Sequence, residues 1–123
     1  MKAILLVSHG SKAPQARQEI EALAALLKKR SGAGIVQPAF LEIESPDIPA
    51  GIEQCVHKGA TEITVLLNFL NSGRHAAEDI PKIIRQARKD HHGVKFRMTK
   101  PIGQDTYLVD IFLKLLDDTA DVV

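Results

Sequence analysis

The stretch LLNFLNSGRHAAEDIP, Leu66 to Pro81, decides the fold. It opens as an apolar run, breaks at Asn71-Ser72-Gly73, and sets Arg74 and His75 side by side just ahead of a helical pattern. Glu62 to Asn68 is nearly continuous in apolar residues, the signature of a strand covered on both faces. Ile80, Ile83, Ile84 and Ala87 then recur at the spacing of one helix face. The unit is strand, polar corner, helix.

The same unit recurs along the chain. Lys2 to Val7, Gly34 to Ile43 and Val94 to Thr99 read as further strands. Ile20, Leu23, Ala24 and Leu27 mark the first helix, Ile52, Cys55 and Val56 the second, and Leu108, Ile111, Phe112, Leu115 and Leu116 the last. Turn residues agree. Ser11 or Lys12 precedes Pro14 at the start of helix one, Gly32 and Gly34 follow its basic end, Gly59 closes helix two and Gly93 helix three. Asp79 reads as the N-cap of helix three, with Pro81 in its first turn. The order βαβαβαβα predicts an α/β fold: a three-layer sandwich whose four-stranded parallel sheet is flanked by helices in a flavodoxin-like arrangement.

A chain of 123 residues predicts one domain over 1–123, large enough to hold its own core. With 16 basic against 15 acidic side chains, nothing argues for a nucleic-acid partner. No run approaches a membrane span, and the apolar run Ala3 to Val7 is too short for a signal peptide. Cys55 is the single cysteine, which excludes an internal disulfide or a cysteine-only metal site and suits the cytoplasm.

In an open parallel sheet, ligands bind beyond the carboxyl ends of the strands, so the residues after each strand matter most. These corners hold Ser8-His9-Gly10-Ser11, then Glu42 and Glu44, then Asn71 to His75, then Lys100 to Gln104. His9, Glu42 and His75 stand about one β-α unit apart and so occupy equivalent corners. Imidazole and carboxylate are ligands for a borderline divalent ion, and a site with two or three protein ligands leaves positions open for chemistry. The set has no short-range metal signature such as HExxH.

Each residue also has a purely structural use. A loop histidine often only bonds its neighbours, a carboxylate such as Glu42 often caps the next loop, and Glu44 is expected to be solvated. His57 reads as a surface residue, and His91 and His92 sit at the far end of helix three, where a cation complements the helix dipole. Cys55 belongs to an apolar stripe. Ser8 and Ser11 lack the nucleophile elbow of a serine hydrolase. HGSKA lacks the Walker pattern, although a helix start of this kind can cradle an anion.

Four segments, LLVSHGS (Leu5 to Ser11), AFLEIESPDIPAGI (Ala39 to Ile52), ITVLLNFLNSGRHAAEDIP (Ile63 to Pro81) and PIGQD (Pro101 to Asp105), resemble the short CbiX-type sirohydrochlorin chelatases. The third is the most specific. The resemblance implies that His9 and His75 are metal and catalytic residues, that Glu42 assists them, and that the chain works as a homodimer, because longer relatives hold two such halves in one chain. Asn68 departs from relatives that carry proline or tyrosine nearby, and the histidine-rich tract of some relatives is absent.

The implied reaction inserts Co²⁺ into sirohydrochlorin, with no organic cofactor. Fe²⁺ for siroheme and Ni²⁺ are the alternatives among metals. Ser8, Ser11, Lys12, Ser72, Gly73, Arg74 and Lys100 are the candidate contacts to the substrate's eight carboxylates, Arg74 as a bidentate clamp. Two other readings are a carrier of metal or tetrapyrrole without turnover, and a phosphate or nucleotide module in which His75 would be dispensable.

Overall fold

Short β-branched and leucine-rich runs pair because each can bury at least one face, and the amphipathic runs between them supply the cover. The computed structural model describes residues 1–71 and 73–122, and for His75 the backbone alone. Its elements are β1 (Lys2–Ser8), α1 (Pro14–Ser31), β2 (Ile35–Phe40), α2 (Ile48–His57), β3 (Glu62–Leu67), α3 (Arg74–Asp90), β4 (Lys95–Met98), a 3₁₀ turn (Ile102–Gln104) and α4 (Tyr107–Asp117). The sheet runs β2-β1-β3-β4 with every pairing parallel. The predicted α/β order is the observed one.

The two faces of the sheet are covered unequally. Ala3, Leu5 and Val7 of β1 and Ile63, Val65 and Leu67 of β3 point to one face, as the two-residue period of a strand requires. There they meet Ile48, Ile52 and Cys55 of α2 and Ala76, Ile80, Ile84 and Ala87 of α3 in one buried cluster. On the other face α1 lies over β2, burying Ala24 and setting the Arg17 guanidinium 5.5 Å above the Phe40 ring. Over β3 this second face is half open. Leu66 there shares an apolar cavity of about 430 Å³ with Tyr107, Leu108 and Ile111 at the start of α4. Every α4 residue except Leu108 is exposed, including Phe112, Leu113, Leu115 and Leu116.

Caps mark the start of α2 and the end of α1. The Asp47 carboxylate accepts the Ala50 N–H at 2.9 Å to start α2, and Gly32 closes α1 in the left-handed region, where its N–H donates to the Lys28 carbonyl. Helix three begins earlier than its sequence suggests. Gly73 is its N-cap, Arg74 and His75 are its first two residues, and Asp79 and Pro81 lie inside it. The predicted cap at Asp79 is thus corrected. Ala76 and Ile80, four residues apart on one face and both buried, pin these turns to the core, which outweighs the hydrogen bond that Pro81 cannot donate.

Cys55 is wholly buried, and desolvation raises its thiol pKa from an ordinary 9.0 to about 11, with Lys58 pulling weakly the other way. The native state then keeps a proton that the unfolded chain loses, so stability declines as pH rises from 9 towards 11. The loss is worth up to about 3 kcal/mol in all. Urea unfolding at stepped pH should show this slope in the wild type and a flatter one in Cys55→Ala, and equal slopes would refute it.

Candidate functional site

Strand β1 is central, with β2 on one side and β3 on the other. The chain leaves β1 for α1 on one face of the sheet and leaves β3 for α3 on the other, so a crevice opens where the two paths diverge. His9, Leu41, Glu42, Gly73, Ala76 and Asp79 line an open cavity of about 370 Å³ there. Two of the three predicted chemical residues, His9 and Glu42, therefore share one cavity. The third, His75, lies in the first turn of α3 between Gly73 and Ala76, both cavity residues, with its side chain outside the described residues. Ser72 also lies outside them.

Backbone pairing explains why His9 and Glu42 are neighbours. Beyond the strand ends the Leu41 N–H donates to the Ser8 carbonyl at 2.9 Å and the Glu42 N–H to the His9 carbonyl at 3.0 Å. The loop after β1 is thereby zipped to the loop after β2. Gly10 sits between them at φ 105°, and a methyl group on it would collide with the Glu42 carbonyl oxygen. Glycine is the residue this approach permits.

Glu44, expected to be solvated, is instead a tie. Its side chain is 11% exposed, one oxygen accepts the Ser11 N–H at 2.8 Å, and the other lies 3.3 Å from Arg17. The same guanidinium bonds the Ser45 carbonyl at 2.8 Å and Glu21 at 3.1 Å. Nothing local in sequence marks this bond, because its partners come from the loop after β1 and from α1.

The His9 ring rests against Phe69, with centroids 4.4 Å apart and planes at 46°. Phe69 is fixed in turn, for its carbonyl accepts the Gly103 N–H at 2.9 Å, and a side chain at Gly103 would strike the Leu70 carbonyl. The loop after β4 thus buttresses the one after β3. A second, mostly apolar cavity of about 280 Å³, lined by Phe69, Ala76, Ile80, Met98 and Gln104 among others, adjoins the first through Ala76.

The predicted rim contacts divide. Ser8 is 7% exposed and its hydroxyl accepts the Asn68 side-chain amide at 3.0 Å, so it joins β1 to the end of β3. The Ser11 hydroxyl accepts the Ala13 N–H at 3.1 Å, and Lys12 is exposed. Gly73 lines the cavity. Arg74 is 93% exposed, with its guanidinium 3.7 Å from Glu78. Lys100 lies 3.5 Å from Asp105, whose carboxyl is held below the usual range chiefly by the Tyr107 N–H and further by Lys100. Among the described residues no three His, Cys, Asp or Glu side chains converge to hold a metal ion. Nothing in the sequence marks Asp79 as a cavity residue, because there it reads as a cap. Once the helix starts at Arg74, its place one turn beyond His75 becomes visible.

The architecture and its crevice define an open parallel α/β protein of the chelatase-like kind. The CbiX family profile matches residues 3–119, and the chain belongs to the CbiX family. It is 37% identical over 108 residues to the sirohydrochlorin ferrochelatase of Bacillus subtilis, a match covering 88% of this chain and 41% of that protein. It is 29% identical to the sirohydrochlorin cobaltochelatase of Methanocaldococcus jannaschii, covering 92% of this chain and 96% of that one. The cobalt complex of the sirohydrochlorin chelatase SirB from Bacillus subtilis subspecies spizizenii superposes with a TM-score of 0.84 at 36% identity, over 97% of this chain and 51% of SirB. Against several curated relatives, the chain spans about half their length or less.

Removing the Glu44 carboxylate strands the Ser11 N–H and the Arg17 guanidinium. Glu44→Ala should cost about 1–2 kcal/mol in urea unfolding, whereas Glu42→Ala, whose exposed side chain lines the cavity, should cost less. Equal losses would show that Glu44 is not the tie.

Proposed function

We propose that this chain, as one domain over residues 1–123, inserts a divalent metal ion, Co²⁺ first, into sirohydrochlorin. The observation that carries the reading is the shared cavity of His9 and Glu42 at the crevice, walled by the helix turn that bears His75. Its membership of the CbiX family and the names of its relatives support the substrate class. Insertion breaks two pyrrole N–H bonds, forms metal–nitrogen bonds and releases two protons. His9 and His75 hold the ion and leave positions open for the pyrrole nitrogens. As the ion passes to the ring nitrogens each imidazole regains its lone pair, and an imidazole, with an ordinary pKa near 6.5, can then accept one of the two protons near neutral pH. Glu42 offsets the ion's charge and orients or relays to an imidazole.

The crevice also suits the macrocycle. It is open, it adjoins an apolar cavity for a ring face, and Ser11, Lys12 and Arg74, which follow the cavity residues His9 and Gly73 in the chain, are the side chains we assign to the carboxylates. Ser8 supports the loop behind them. Fe²⁺ is the second reading, favoured by the 37% identity to a ferrochelatase, since histidine and carboxylate do not themselves choose between these ions. No organic cofactor is required. A cytoplasmic setting fits the lone, buried thiol.

We further propose that the working form is a homodimer. Phe112, Leu113, Leu115 and Leu116 of α4 are more than half exposed, a patch that isolated soluble chains seldom leave open. A second copy would supply the half of SirB that this chain does not span.

Absorbance spectra of sirohydrochlorin mixed with Co²⁺ or Fe²⁺ test the reaction. The protein should accelerate metallation, and His9→Ala and His75→Ala should each slow it at least tenfold, as loss of a positioned acid–base group does. Binding without acceleration would make the protein a carrier. Sedimentation should give a dimer that Phe112→Glu with Leu115→Glu converts to monomer, and a fully active wild-type monomer would overturn the assembly.

A further inference from the structure

A divalent ion held between neutral imidazoles keeps its full double charge, and Glu42 offsets only half of it. The surroundings make the shortfall worse. Helix α3 starts at the cavity wall, where Gly73 is the N-cap, and its first turn carries no acidic residue. The positive end of a helix, worth roughly half an elementary charge, therefore lies beside the place where a cation must sit. A second carboxylate would be needed to make the cavity neutral toward the ion.

Asp79 is in position to be that carboxylate. It is half-buried and lines the same cavity as His9 and Glu42, from a different element, α3 rather than the loop after β2. It stands four residues after His75 on one helix, the spacing that puts two residues on one stripe. The other acid of these turns, Glu78, is exposed and faces Arg74 instead. We propose that Asp79 is a substrate-binding residue for the metal ion: with Glu42 it forms a pair of carboxylates that neutralises the incoming cation before the macrocycle takes over that task. Once two pyrrole protons have left, the ring itself carries the compensating charge, and the pair no longer holds the ion. This assignment deepens the chelatase reading and rests on it.

Calorimetric titration with CoCl₂ alone, followed by metallation kinetics at varied Co²⁺ and at varied sirohydrochlorin, tests it. Asp79→Asn should weaken Co²⁺ binding and raise KM for Co²⁺ by about tenfold, leave KM for sirohydrochlorin near wild type, and be rescued in large part by Asp79→Glu. A merely structural role would shift both KM values together, which would overturn the proposal. So would an Asp79→Asn protein that binds Co²⁺ like the wild type, or a wild type that binds none. Asp79-dependent Co²⁺ binding without any metallation would uphold the metal site and sink the chelatase reading instead.

Discussion

The central position of β1 is the constraint on which the rest depends. Parallel pairing to β2 on one side and β3 on the other brings the carboxyl ends of three strands to one edge. The ladder then runs past the strands into the loops, through Leu41 to Ser8, Glu42 to His9 and Asn68 to Val7. Because these are main-chain bonds, the spacing of the loops is set by the sheet repeat and not by the side chains that do the chemistry. Side chains at the corners are thus free to be chosen for reactivity.

A second tier of polar and steric contacts keeps the corners rigid. Glu44 and Arg17 clamp the first two loops to α1, Gly10 lets the backbones approach, and Gly103 brings the loop after β4 under the Phe69 platform of His9. These residues have no place in the proposed reaction. They hold the cavity open on one side of the sheet edge while the hydrophobic cluster under α2 and α3 anchors the other.

Helix α4 stands apart from this economy. Its strongly apolar side chains would be expected to close the second face of the sheet, yet only Tyr107, Leu108 and Ile111 at its start share a cavity with Leu66. A sheet half-covered on one face beside an uncovered helix is the observation on which the proposed homodimer rests.

The order of elements, the parallel sheet and the corners holding His9, Glu42 and His75 were legible in the sequence. Local patterning governs them: period two in a strand, 3.6 in a helix, and polar residues where a strand stops. Three things were not. Glu44 read as solvated because its partners, Ser11 and Arg17, are distant in sequence. Asp79 reads as a cap because Asp with Pro two residues later signals a helix start, and only the burial of Ala76 and Ile80 carries the helix back to Arg74. The exposure of the apolar stripe of α4 is the third, since periodicity marks a helix with one apolar face but not what covers it. The sequence by itself determined which elements form and which residues stand at their ends, because those depend on near neighbours. The tertiary structure decided which corners share a cavity and which face is left over, because those depend on strand order, a property of pairings between residues far apart in the chain.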